Sequence, residues 1–216
     1  MKMLNTITAC CVLLFMNPVS AGTSGDKFRE AMQKCISELY NASSIADLQH
    51  TVNALERIGA AEVKQWEPQY YIAFGYLMMA NRETDGSKKD QYLDKAMAAV
   101  EKAKGILPAD SEIIALEGFV YMLRVTVDPA SRGHALAPTA SNTFAKAIEL
   151  NPHNPRALAL SAQMQFGSAR FFGTSTAETC ALVEKSLKEF NTDKSENDLA
   201  PTWGKPMAES LRQQCQ

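Results

Sequence analysis

Along most of the chain, large apolar residues return every three or four positions, the period at which one face of an α-helix is buried. Phe28, Met32, Cys35 and Leu39 share such a face. Ser44 is placed to cap a second helix, whose face carries Leu48, Val52, Leu55 and Ile58 and which Gly59 is expected to stop. Pro155 opens a later helix through Leu158, Ala162 and Phe166, followed by a partner carrying Cys180, Val183, Leu187 and Phe190. Residues 191–202 are polar and read as a linker. Pro206 then starts a short last helix whose Met207 and Leu211 share a face, suiting it to cover the end of a stack.

The middle of the chain repeats itself. Ala96-x3-Val100-x2-Ala103, followed by Leu107-Pro108, superposes on Ala140-x3-Phe144-x2-Ala147, followed by Leu150-Asn151-Pro152, with a shift of 44 positions. Upstream, Tyr71-x2-Phe74-Gly75-x2-Met78 aligns with Ile114-x2-Glu117-Gly118-x2-Tyr121, a shift of 43. Each unit is a helix, a connection, a second helix and a proline stop. Gly75 and Gly118 fall inside helices, where glycine costs about 1 kcal/mol relative to alanine. Close helix–helix approach offsets that cost, and Ala96 and Ala140 are expected to supply the matching small surface. Pro108 and Pro152 cannot continue a helix and redirect the chain.

These residues resemble the tetratricopeptide repeat: a large apolar residue, Leu-Gly and Tyr on the first helix, then Ala, Phe, Ala and Pro on the second. Residues 68–110 and 111–154 match best. Glu117 stands where the family prefers leucine and Met78 where it prefers an aromatic. The period also exceeds the family's ~34 by roughly ten residues, approaching the HEAT and armadillo range. Asn154-Pro155-Arg156 through Phe171-Phe172-Gly173, and Trp203-Gly204-Lys205, are similar to exported bacterial tetratricopeptide-like proteins of no assigned activity. The resemblance implies an all-α, helical-hairpin-repeat solenoid of about four helix pairs with a C-terminal capping helix.

Composition narrows the function. The 216 residues are 46% hydrophobic and 21% charged, with a formal net charge of −2, which is ordinary for a globular chain. No basic stripe suits nucleic acid, and no apolar run approaches the roughly 20 residues of a membrane span. Residues 1–21 read as a signal peptide: Lys2, an apolar stretch from Ile7 to Met16, Pro18, and small residues ending at Ala21. Residues 22–216 are then one domain of a periplasmic or secreted protein. Lipidation at Cys10 is the alternative. Export leaves Cys35, Cys180 and Cys215. Cys180 and Cys215 could pair and tie down the C-terminus, or serve as buried apolar residues. No cysteine or histidine has zinc-ligand spacing, and His50, His134 and His153 belong to no catalytic motif, so neither metal, cofactor nor enzyme activity is expected.

Binding is therefore the expected role, in two candidate places. The resemblance implies that first helices of successive pairs line a concave face, here Ile72, Tyr76 and Met79, then Ala115, Phe119 and Met122, then Arg156, Ala159, Gln163 and Phe166. This face is apolar enough either to take a protein or peptide segment or to be covered by the insertions or the C-terminal segment. The extra residues of each unit fall at Asn81 to Lys89, Thr126 to Thr139 and Ser168 to Ser175. They form a loop rim, or else they lengthen the helices. Arg124, Asp128, Arg132, Arg170 and Phe172 are its candidate ligand residues, with ion pairing of the charges and packing of the aromatics under the loop as the plainer outcome. An adaptor for a protein or peptide partner is the leading expectation; small-ligand or glycan binding at the rim, or a subunit of a homo-oligomer, are the alternatives.

Overall fold

The computed structural model describes residues 24–215 except Lys194 and Glu196. The expected signal peptide, with its cleavage point near Ala21 and the lipidation alternative at Cys10, lies outside them. Among the described residues there are nine helices and no strand: α1 (Ser24–Asn41), α2 (Ile45–Ala61), α3 (Glu67–Arg82), α4 (Gly86–Ile106), α5 (Ser111–Val127), α6 (Pro129–Leu150), α7 (Pro155–Phe172), α8 (Ala177–Thr192) and α9 (Lys205–Gln213). Consecutive helices pack together, and α1, α3, α5 and α7 also touch in that order.

Short polar residues set where the helices begin. Ser44 and Asp47 form a reciprocal capping box at α2, while Asp85, Asp110, Asp128 and Asn154 accept backbone N–H bonds at the starts of α4 to α7. Two expected boundaries move. α2 runs through Gly59 to Ala61, and a Cβ at Gly59 would lie 2.7 Å from Gln69 Nε2, so this glycine admits the start of α3 instead of ending α2. The extra residues of the middle unit are mostly helix, since α6 begins at Pro129 immediately after its cap. The longer period comes from longer helices more than from loops.

The two interior glycines do mark close approaches, but with different partners from those the alignment implies. Val52 of α2 and Leu39 of α1 press on Gly75, whereas a Cβ at Gly118 would sit 2.5 Å from the Phe144 ring of α6. Gly75 thus packs against the preceding pair and Gly118 against its own partner helix.

The main core runs from α1 to α7; a second, smaller one joins α7, α8 and α9 around Phe166, Val183, Leu187 and Leu211. A Cys180–Cys215 disulfide fastens the start of α8 to the end of α9, and Cys35 is free and buried. Of the two alternatives for these cysteines, pairing is the one realised.

Residues 197–204 are not a solvated linker. They form a strap across the inner side of α1, α3 and α5. Asp198 accepts from Arg29 at 2.8 Å and Gln33 at 2.7 Å; Tyr71 Oη donates to the Leu199 carbonyl at 2.8 Å. Trp203 donates through Nε1 to Tyr70 Oη at 3.0 Å, and its ring stacks on Phe74 and Phe119 with centroids 4.9 and 6.1 Å apart. Gly204 follows at φ 107°, with Phe190 2.9 Å from where a Cβ would be, and turns the chain into α9. Replacing Trp203 with alanine removes two aromatic contacts and a hydrogen bond. It should lower stability by about 3 kcal/mol, read as a lower urea midpoint with an unchanged denaturant slope.

Candidate functional site

α2 and α4 both lean on α3, yet they do not close over it. Between them runs an open groove of about 890 Å³, floored by Ile72 and Tyr76 of α3. Small residues of both walls, Gly59 and Ala60 of α2 and Ala98 and Ala99 of α4, line it and leave its space unfilled. Val63, beyond the end of α2, is 67% exposed at its margin, and Ile106 at the end of α4 is half-buried. The floor residues Ile72 and Tyr76 are each 5% exposed and belong to the main core, so the apolar surface that meets water here is chiefly that of Val63, Ala98 and Ile106.

Half of the lining is polar: Gln49, Asn53, Glu56, Gln69, Tyr76, Lys95 and Lys102. Tyr76 Oη donates to Glu56 Oε1 at 2.9 Å, and its ring stacks on Tyr92 with centroids 6.5 Å apart. Burial, reinforced by the bond to Glu56, pushes the Tyr76 pKa up to about 12, so it remains a neutral phenol at physiological pH. Lys95 Nζ lies 5.3 Å from the same ring centroid, a cation–π contact. Lys102 lies two turns further along α4 on the same face, about 10.5 Å along the axis. The lining residues include no histidine, cysteine or methionine. An apolar floor with two ammonium groups along one wall can hold a flat apolar body that carries acidic groups.

Ile72 and Tyr76, expected on the concave face, are thus the floor of this outer groove. The other residues expected on that face are dispersed. Phe119 lies under Trp203, and Met79, Ala115 and Met122 are in the main core. Ala159 and Phe166 belong to the second core, and Gln163 is exposed. Arg156 is 4% exposed: its Nε donates to Glu112 Oε2 at 2.8 Å and its Nη2 to Asp193 Oδ2 at 3.0 Å. The strap covers the side chains of α3 and α5 and the second core those of α7, so all of these but Gln163 face protein and not solvent.

The rim residues separate too. Asp128 is the cap of α6, accepting from the Ser131 N–H at 3.1 Å, so it does not stand between the two arginines. That place belongs to Asp90, which accepts both Nη atoms of Arg132 at 2.6 and 2.8 Å and lies 3.9 Å from Arg124; Arg124 also reaches Asp94 at 2.6 Å. The hydrogen bond from Arg132 holds the Asp90 carboxyl below its ordinary value. Arg170 packs over the Phe166 ring and reaches Gln214 at 3.5 Å. Phe171 and Phe172 were expected to pack under their loop, but they are 76% and 73% exposed. Sequence reasoning passed over Val63, Lys95 and Lys102, because the seven-residue lysine spacing is common on any solvated helix.

No protein-family model matches the chain, nor does any curated protein. Among solved structures, the chain is similar to the HusA haemophore from Porphyromonas gingivalis, with a TM-score of 0.79 and 26% sequence identity over 90% of this chain and 95% of that one.

The buried Arg156 supplies a test of what its neighbourhood does. Burial raises the Glu112 pKa, and Arg156 opposes this only in part. Burial also works against the Arg156 charge, but Glu112, together with Tyr70 and Asp193, more than offsets it and keeps the guanidinium above its usual value. Arg156→Met should cost about 3–5 kcal/mol near neutrality by stranding Glu112. A raised carboxyl value favours the folded state in acid, and that advantage is lost as pH rises through the folded value. Without Arg156 the value climbs further, so the deficit should narrow as pH falls toward the ordinary 4.5 of a glutamate, measured by urea unfolding at successive pH values.

Proposed function

We propose that this chain is an exported, non-enzymatic binding protein. On this reading it holds a planar, carboxylate-bearing tetrapyrrole of the haem type in the groove between α2 and α4, on a scaffold of tetratricopeptide-like hairpins. The observation that carries the reading is the groove itself. Its volume lies within the range of small-molecule sites, its floor is apolar, and its lysines are spaced for two acidic groups on one ligand edge. The likeness to a haemophore over nearly the whole of both chains supports the ligand class. Export is supported by the signal-like residues 1–21 and by a disulfide of the kind that persists in oxidising compartments. The inner face that a peptide partner would need is covered by the strap, which is why the ligand is placed outside it.

With no imidazole or thiolate along the groove, and the Tyr76 hydroxyl held neutral in its bond to Glu56, recognition rests on the macrocycle and its carboxylates, not on a metal bond. Haem and metal-free protoporphyrin should then bind comparably, and the dimethyl ester of protoporphyrin more weakly. Absorbance or fluorescence titration of the three ligands measures this. Val63→Asp puts a carboxylate at the exposed margin, and Lys102→Glu reverses a charge on the wall. Each should weaken protoporphyrin binding at least tenfold, about 1.4 kcal/mol, while leaving the melting temperature of the free protein nearly unchanged. Absence of a spectral change with micromolar protoporphyrin, or undiminished binding by both variants, would sink the proposal.

A further inference from the structure

Phe171 and Phe172 end α7 with most of their surface in water, whereas nearly every other large apolar side chain of the described residues is covered. Their rings meet edge to face with centroids 5.1 Å apart. The tip that carries them is braced. The Gly173 and Thr174 N–H groups both bond back to the Ala169 carbonyl, and the Cys180–Cys215 disulfide holds the start of α8 beside the last residues of the chain. The rings are therefore presented and not loosely placed. Arg170 is the only charged residue from 170 to 177, and Glu178 follows in the first turn of α8. Arg170, directly before the rings, reaches only an amide and a ring among its described contacts, so its charge is not spent on a carboxylate.

We propose that this aromatic tip docks the protein on an anionic lipid surface, the two rings entering the headgroup–acyl boundary and Arg170 meeting lipid phosphate. The size and shape of the patch favour a bilayer over a second copy or another protein. Two phenylalanine side chains offer at most about 300–500 Å², short of the roughly 600–800 Å² that each partner of a specific protein pair buries. A protruding apolar pair with a neighbouring cation instead suits shallow, reversible interfacial insertion, in which phenylalanine serves on the buried side. The tip lies on α7, apart from the groove walls of α2 and α4, so loading the groove and docking at the surface do not compete for residues.

The test is co-sedimentation of the exported form, residues 22–216, with vesicles of equimolar phosphatidylethanolamine and phosphatidylglycerol. The unchanged protein should pellet with the vesicles. Phe171→Ser/Phe172→Ser should reduce binding at least tenfold with the disulfide and the melting temperature intact, since neither ring is buried. Arg170→Gln should weaken binding on these vesicles but not on phosphatidylcholine alone. A protein that stays in the supernatant, a double serine variant that binds as well as the parent, or a tip-dependent dimer in sedimentation velocity would each overturn the proposal.

Discussion

The first helices of the hairpins carry more apolar surface than their neighbours can cover, and Trp203 closes the shortfall. Its ring lies against Phe74 and Phe119, one from each of the two central units, and its indole N–H is satisfied by Tyr70. Around it the strap leaves no large apolar side chain of the inner face in water, because the backbone carbonyl of Leu199 and the side chain of Asp198 bond to α3 and α1. Arg156 completes this arrangement from α7. It ties Glu112 of α5 to Asp193 at the end of α8, and a charge so deeply buried is tolerated only because both carboxylates meet it with good geometry.

Filling the inner side moves function outward. The side of α1, α3 and α5 that a peptide would need is occupied by residues 197–204 of the chain itself. What remains open is a groove on the other side of α3, where three alanines and Gly59 leave the space between α2 and α4 unfilled, and an aromatic tip where α7 ends. Both expose apolar surface that costs free energy in water and gains it on contact with an apolar partner. The groove is concave and has cations along one wall, which suits a small flat acid. The tip is convex and too small for a protein pair, which suits a lipid surface.

Much of the local structure was legible along the chain. Ser44 caps α2 as expected, and the residues before α4 to α7, which sequence reasoning did not single out as caps, act in the same way because a short side chain can reach the unpaired N–H groups of the first turn. Gly75 and Gly118 do mark places where side chains crowd a helix, although the alignment did not reveal that Val52 and Phe144 do the crowding. Asp128 looked like a ligand between two arginines and is a helix cap. Sequence spacing places it beside them but says nothing of Asp90, which reaches Arg132 from more than forty residues away.

Periodicity and capping chemistry are local, involving residues within a turn or two, so the sequence by itself determined the helices, their order and the apolar stripe on each. Which stripe is covered, and by what, depends on contacts between distant residues: residues 197–204 lie across the inner side, Tyr76 faces the outer groove, and the Phe171–Phe172 pair is left bare. An apolar residue destined for the core and one destined for a ligand carry the same signature along a helix. Only the packing of whole helices decided between them, because burial is a property of the space around a side chain and not of its neighbours in the chain.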